Sequence, residues 1–372
     1  MNIVIATSIY PPSVGGQATH AKKYAEGFSE RGIQTRVLSY GRGREGKKDE
    51  VVYFISMRMP YGIRHIAYFF RLLVIARGAS VIYALDALGS GLPALLASRI
   101  LHVPLIVRIG GDVAWERFAE NRAADIPLSR YYADGLFRRS LTYRISAFVL
   151  RRARKIIVVA PMLRSIYLQY YGIPSSRITI IHNPMPDISH RSGTSGVRRP
   201  AKKIILYASR FVGYKNLERL IAAFREVHRH DTATILLLIG EGPFLKRLSE
   251  TVRLSGLSGA VRIVRPLPQE KLLLFMKKAR VCVAPAITEF HPNYIMECLS
   301  VGTSIAVSRE NGLPLQAGDA ELFDPLSVSD MARALLLSLG KKPSRLPPAA
   351  AILTWDGVIS ENLRVIREAH GL

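Results

Sequence analysis

The chain has 372 residues, 49% of them hydrophobic, and a formal net charge of +24. That length exceeds one ordinary core and fits two domains, and the composition excludes a disordered or fibrous chain. Residues 1–190 hold 26 Lys and Arg against 12 Asp and Glu, and the rest hold 26 against 16, so both halves are basic and attract anionic partners such as nucleic acid, acidic lipid or a phosphorylated substrate.

Ile3–Ser8 is an unbroken apolar run, so the chain opens on a buried strand rather than a signal peptide. The loop Tyr10–Gly16 and a helix from about Ala18 to Arg31, ended by Gly32, lead to the strand Thr35–Tyr40. Strand, glycine loop, helix, strand is the opening of a doubly wound α/β domain. Gly15 and Gly16 read either as a tight turn or as two residues without Cβ that let a phosphate approach a helix start. A charged loop (Gly41–Asp49), a strand (Val51–Met57) and the apolar–arginine stretch Met59–Arg77 follow. Ala79–Ala84 and Pro104–Ile109 are strands around the helix Leu92–Leu101, and Asp112 opens a polar segment running to about Asp134. Phe137–Lys155 is expected as one arginine-dense helix, before strand Ile156–Val159, a short helix near Leu163–Tyr171 and strand Ile178–Ile181.

Asp187–Pro200, rich in Ser, Gly, Arg and Pro, is the linker candidate. Beyond it strands Ile204–Ala208, Thr234–Ile239, Val261–Val264, Val281–Pro285 and Ser304–Val307 alternate with helices near Asn216–His228, Phe244–Leu254, Glu270–Ala279 and Ser329–Leu339. A last helix, Trp355–His370, follows the Pro-rich Lys342–Pro348. Alternation through both halves implies two parallel-sheet domains. Cys282 and Cys298 lie in apolar runs, which points to a reducing compartment and against a disulfide framework or zinc site. No apolar run reaches the ~18 residues of a membrane span, so a soluble or surface-bound protein is expected.

After the run Val281–Pro285, a polar loop with Glu289 leads into a helix expected to start at Pro292, where the missing N–H costs nothing. The N–H groups of Asn293 and Tyr294 then form an anion site at a helix N-terminus, with Glu297 about one turn in. Two acids flanking a phosphate-accepting helix start suit a nucleotide-sugar. Arg210 and Lys215 follow another strand end, where open α/β sheets bind ligands, and both can reach one diphosphate. They read otherwise as a solvated basic loop. Gly240-Glu241-Gly242-Pro243, also after a strand end, reads alone as a turn.

The order Gly15-Gly16, Asn183, Arg210, Lys215, Gly240-Glu241-Gly242-Pro243, Glu289, Glu297 and Gly302-Thr303 resembles the retaining family 4 (group 1) glycosyltransferases, over nearly the whole chain. The resemblance implies a GT-B fold: α/β, two Rossmann-like doubly wound parallel-sheet domains facing across a cleft, with a C-terminal helix crossing back. It places an acceptor-binding domain at 1–186 with 356–372 returning to it, a linker at 187–200, and a nucleotide-sugar-binding domain at 201–355. It implies that Arg210 and Lys215 hold the donor diphosphate, Glu297 the ribose and Glu289 the transferred sugar. Gly15, Gly16, Gly240, Glu241, Gly242, Asn293 and Tyr294 join the donor-binding set. Asp112 faces the sugar or acceptor in this scheme, and reads equally as a loop or cap aspartate. His20 matches a family histidine but reads better as structural, and Trp355 resembles the tryptophan before the returning helix. Phe290, His291 and Pro292 stand where the family has glycines beside its first glutamate, Ser304 where it has proline, and Leu315 where it often has glutamate.

Met59–Arg77 and Phe137–Lys155 read either as core-facing helices with a solvated basic face or as contacts with an anionic membrane, Phe69, Phe70, Leu72, Leu73 and Ile75 inserting. The expectation is a retaining hexosyltransferase, cytoplasmic and peripheral on the inner face of the cell membrane. It would move a sugar from a nucleoside diphosphate donor to a lipid-linked or polysaccharide-precursor hydroxyl. No metal and no cofactor beyond that co-substrate is expected. A sugar-nucleotide epimerase, a basic nucleic-acid-binding protein and an inactive membrane scaffold are the alternatives; against nucleic acid, no aromatic-interleaved basic motif is present.

Overall fold

The computed structural model describes residues 1–13, 15–41, 45–47, 50–121, 125–185, 200–313, 315, 318–341 and 354–371. Apart from Pro200, the expected linker 187–200 lies outside these residues, as does Lys342–Pro348. Two compact units are present: Met1–Ala114 with Leu136–Asn183 and Trp355–Leu372, and Trp115–Gly135 with Pro184–Thr354. Chain order assigned residues 115–135 to the first domain; by packing they belong to the second unit.

Unit 1 contains strands β1 (Asn2–Ala6), β2 (Gln34–Gly41), β3 (Glu45–Lys47), β4 (Glu50–Ser56), β5 (Val81–Ala84), β6 (Leu105–Ile109), β7 (Lys155–Val158) and β8 (Ile178–Ile180). They form one sheet in the order β3-β4-β2-β1-β5-β6-β7-β8. Every pairing is parallel except β3 with β4, which lies in the segment expected to be a loop. β5 and β6 are buried at every position, the pattern of parallel strands covered by helices on both faces. The covering helices are α1 (Gly16–Ser29), α2 (Tyr61–Ile75), α3 (Gly91–Leu101), α6 (Leu141–Leu150), α7 (Pro161–Gln169) and the last helix α13 (Trp355–His370).

α13 buries Val358, Ile359, Leu363, Val365 and Ile366 against unit 1. Its Ile359 fits against Gly27 of α1, where a Cβ would lie 2.3 Å from Ile359 Cδ1. Buried Asn362 accepts a hydrogen bond from Tyr83 Oη at 2.5 Å and donates to Val358 O at 2.6 Å. Trp355 lies 5.0 Å, ring to ring, from His20, the structural role expected of that histidine.

Phe137–Lys155 is not one helix. Leu136–Arg139 is a single 3-10 turn, and α6 starts only after Ser140, whose hydroxyl accepts the Tyr143 N–H at 3.2 Å as an N-cap. The polar segment after Asp112 contains two helices, α4 (Val113–Asn121) and α5 (Leu128–Ala133). The membrane expectation also needs correction in detail. Leu72 and Ile75 face the core at 0% and 4% exposure, whereas Ile63, Ile66, Phe70 and Val74 stand outward at 56–59%.

Unit 2 has β9 (Lys203–Ala208), β10 (Thr234–Ile239), β11 (Val261–Val264), β12 (Val281–Ala284), β13 (Ser304–Ser308) and β14 (Glu321–Phe323), in the order β11-β10-β9-β12-β13-β14, with all pairings parallel. Along β9 the side chains alternate with a period of two. Ile205 and Tyr207 enter the core shared with α8 (Leu217–His230), α9 (Leu245–Leu254) and α12 (Val328–Gly340). Ile204, Leu206 and Ala208 enter the core shared with α10 (Gln269–Lys278) and α11 (Asn293–Ser300). The chain builds outward from β9 to β11, then from β12 to β14, so the order reverses between β9 and β12. Open α/β sheets bind ligands at the carboxyl ends of strands beside such a reversal.

Candidate functional site

The loops leaving β9 and β12 flank that reversal, and each brings one ionised residue to it. Lys215 Nζ pairs with Glu289 Oε1, and their side chains keep only 10% and 16% of their exposure. An ammonium and a carboxylate this desolvated hold each other strongly, and removing either strands the other.

Lys215 ends a single 3-10 turn, Gly213–Lys215, and the next residue, Asn216, takes a left-handed conformation at φ 60°. Asn216 is among the few residues that tolerate this, and its amide nails the turn in place by donating to Pro285 O at 2.9 Å and Pro325 O at 2.7 Å. Arg210 donates to Tyr214 Oη at 2.8 Å, while its own carbonyl accepts from Tyr207 Oη at 3.1 Å. Burial pushes the Tyr214 hydroxyl well above its ordinary range, with Glu116 adding to the effect and Arg210 opposing it, so it stays protonated.

Gly240 and Gly242 have a packing reason to be glycine. A Cβ on Gly240 would lie 2.0 Å from Ser209 O, and one on Gly242 2.4 Å from Phe211 O. The Gly240–Gly242 loop lies directly against the Arg210 loop, and Phe211 N–H donates to Glu241 O at 2.8 Å. These residues therefore shape the loop that carries Arg210.

Glu289 is fixed through its backbone: its N–H donates to Glu310 O and its carbonyl accepts from Gly312, both at 2.8 Å. α11 begins at Asn293 with Pro292 as N-cap, one residue later than expected. The Tyr294 side chain turns away to donate to Leu206 O at 2.5 Å, so its hydroxyl supports the helix and only its backbone faces the helix start. Glu297 lies beside Gln269 of α10, whose amide is 3.4 Å from its carboxylate. Burial pushes the Glu297 carboxyl up to about 7, Gln269 opposing the shift.

In unit 1, Gly15 caps α1 and Gly16 is its first residue. A Cβ on Gly16 would meet nothing within 4 Å, so the packing of the unit does not call for glycine there. Asp112 is 1% exposed, with Tyr171 Oη 3.5 Å from its carboxylate. It lies in unit 1, while Arg210, Lys215, Gly240–Gly242, Glu289 and Glu297 lie in unit 2.

Four residues escaped the sequence reading. Asn216, Tyr214 and Gln269 have no signal short of the fold. Trp115 lies in a stretch that reads only as polar; it is fully buried in unit 2, with its ring 5.6 Å from Tyr214 and 5.9 Å from Phe290. Phe290 thus packs edge-on against Trp115. Among the described residues no group of His, Cys, Asp and Glu has the arrangement of a metal site, and no helix is long and apolar enough to cross a membrane.

Residues 14–187 match the family model for Glycosyltransferase Family 4, and residues 195–350 match that for Glycosyl transferases group 1. The chain belongs to glycosyltransferase family 4. This family 4 chain is 26% identical over 222 residues to a D-inositol 3-phosphate glycosyltransferase of Acidothermus cellulolyticus, covering 54% of the chain and 50% of that relative. A relative of the same name from Corynebacterium diphtheriae is also 26% identical, over 36% of the chain and 34% of its own length. The chain thus spans half or less of the length of the curated relatives it matches. The fold resembles Anabaena Alr3699/HepE in complex with UDP-glucose, at a TM-score of 0.70 and 16% identity over 100% of both chains. It also resembles the lipopolysaccharide outer core galactosyltransferase WaaB, at 0.65 and 14% over 100% of this chain and 98% of that one.

Proposed function

We propose that the chain transfers a sugar from a nucleoside diphosphate donor to an acceptor hydroxyl with retention at the anomeric carbon. The observation that carries this reading is the buried Lys215–Glu289 pair at the strand-order reversal of unit 2. Without a donor, Glu289 answers the charge of Lys215. With one, Lys215 and Arg210 turn to the diphosphate and offset the charge that builds as it departs. Glu289 is released to hydrogen-bond the transferred sugar. The N–H groups of Asn293 and Tyr294 at the start of α11 add an anion-binding helix end, and Glu297 accepts from the ribose hydroxyls. The departing diphosphate takes the acceptor proton, so no side-chain base is needed. Gly16 leaves room for a phosphate at the start of α1, and Asp112 is assigned to the sugar or acceptor. The names of the curated relatives support glycosyl transfer, and the UDP-glucose held by the Anabaena protein supports a nucleotide-sugar donor.

The acceptor in this reading is lipid-linked or a polysaccharide precursor at the inner face of an anionic membrane. Support comes from α2, whose outward Ile63, Ile66, Phe70 and Val74 recur at three- and four-residue intervals on one face. Asp86 is the one acid between residues 51 and 111, and residues 135–186 contain none. An apolar stripe in an arginine field suits acidic head groups, each nearby cation adding about 1 kcal/mol.

A thermal-shift panel of UDP, GDP and ADP sugars tests the donor assignment. One of them at a hundred times its Kd should stabilise the protein by about 2.7 kcal/mol; no shift with any of them would refute it.

A further inference from the structure

We propose that Trp115 is a positioning residue for the Lys215–Glu289 pair, acting through its ring contacts with the residues next to each partner. Tyr214 immediately precedes Lys215, and Phe290 immediately follows Glu289. The Trp115 ring meets both nearly edge-on, at interplanar angles of 62° and 82°. One indole therefore spans the two loops whose charges must stay aligned. The indole is itself fixed, since it is fully buried and its Nε1–H donates to Ile126 O at 2.9 Å.

The rest of the excursion 115–135 acts in the same direction. Leu128 N–H donates to Thr288 Oγ1 at 3.0 Å, securing the residue before Glu289. Ser129 Oγ donates to Glu310 at 2.6 Å, and the Glu310 carbonyl is the acceptor of the Glu289 N–H. On the other loop, Arg219 bridges Asp125, at 2.8 Å, and Asn216, at 3.1 Å, the residue that ends the Lys215 turn. The excursion thus braces both loops at once. It also accounts for Phe290: a glycine there would offer the indole no ring and leave the Glu289 loop unsupported on that side. Small displacements matter here, because misplacing a reacting or charge-stabilising group by about 1 Å costs on the order of a hundredfold in rate.

This inference rests on the proposed donor-binding role of Lys215, and its test separates the two. UDP, GDP and ADP are titrated in turn into the full chain, its Trp115→Ala variant, the Lys215→Ala variant and the double variant. Wild type should bind one of the three; if it binds none, the donor reading fails and takes this inference with it. Given binding, Trp115→Ala should weaken it about tenfold in the presence of Lys215 and less than threefold in the Lys215→Ala background, because its effect passes through that lysine. Trp115→Phe, which keeps an aromatic edge, should recover most of the affinity. Equal losses in both backgrounds would show that Trp115 only supports folding and would overturn the inference, as would unchanged affinity in Trp115→Ala. Thr288→Val, close to isosteric and far less disruptive, covers the case in which Trp115→Ala does not fold. It too should lose affinity several-fold, and only while Lys215 is present; equal losses in both backgrounds would again overturn the inference.

Discussion

Glu297 has a carboxyl that burial pushes up from an ordinary 4.5 to about 7, with Gln269 as its hydrogen-bond donor. The unfolded chain releases this proton near its ordinary value, while the fold withholds it until about 7. Stability from this group is therefore greatest below about pH 4.5, declines as pH rises towards 7, and then levels off, by on the order of 3 kcal/mol in all. Glu297→Gln should remove that decline, and thermal melts of both proteins from pH 5 to 8 would read it. If the ionised carboxylate grips the ribose, nucleotide affinity should also fall several-fold between pH 8 and 6 in wild type and stay flat in the variant. At Lys215, truncation to Ala strands Glu289 in a site with little water, so a loss of roughly 3 kcal/mol in stability is expected by chemical denaturation. The same change should lower turnover by about a hundredfold or more. Both charges were legible in the sequence because each follows an apolar strand run at a place where ligands gather. Their pairing was not, since it depends on which two strands lie side by side.

Elements show the same division. Strands were readable where an unbroken apolar run is forced by burial on both faces, as in β9 and β12. Helix limits shifted where one residue interrupts the backbone pattern, as Ser140 does by capping α6. α4 and α5 could not be read because their apolar faces are short and set in polar sequence. The Gly240–Gly242 stretch reads from its residues alone as a turn, and the structure supplies the packing reason: its glycines are required by the carbonyls of Ser209 and Phe211. Gly240→Ala should therefore destabilise unit 2 by roughly 2–4 kcal/mol and disturb Arg210 along with it, measurable as a lower melting temperature together with weaker nucleotide binding. For α2, replacing Ile66 and Phe70 by Ser should abolish co-sedimentation with vesicles containing phosphatidylglycerol while leaving the melting temperature within a few degrees, since both side chains face outward. Retained sedimentation would exclude α2 as the membrane contact.

For the whole molecule, composition and alternation already called for two parallel sheets, and the membership of each unit is what they could not supply. α13 completes unit 1, and its buried Asn362 is the acceptor for Tyr83. Asn362→Leu leaves that hydroxyl buried without its acceptor and should cost about 2–3 kcal/mol, seen as a drop in the denaturation midpoint.

Unit 1 takes its last helix from residues 355–370, and unit 2 takes residues 115–135 from within the first half of the chain. Neither is a continuous stretch that scissors at one point could liberate. During synthesis the patch of unit 1 that α13 covers, around Gly27 and Tyr83, stays exposed until the residues beyond 355 have been made, so a nascent chain stalled before that point should be a target for chaperones. Expressing the units separately would call for a rejoined chain order rather than a simple truncation.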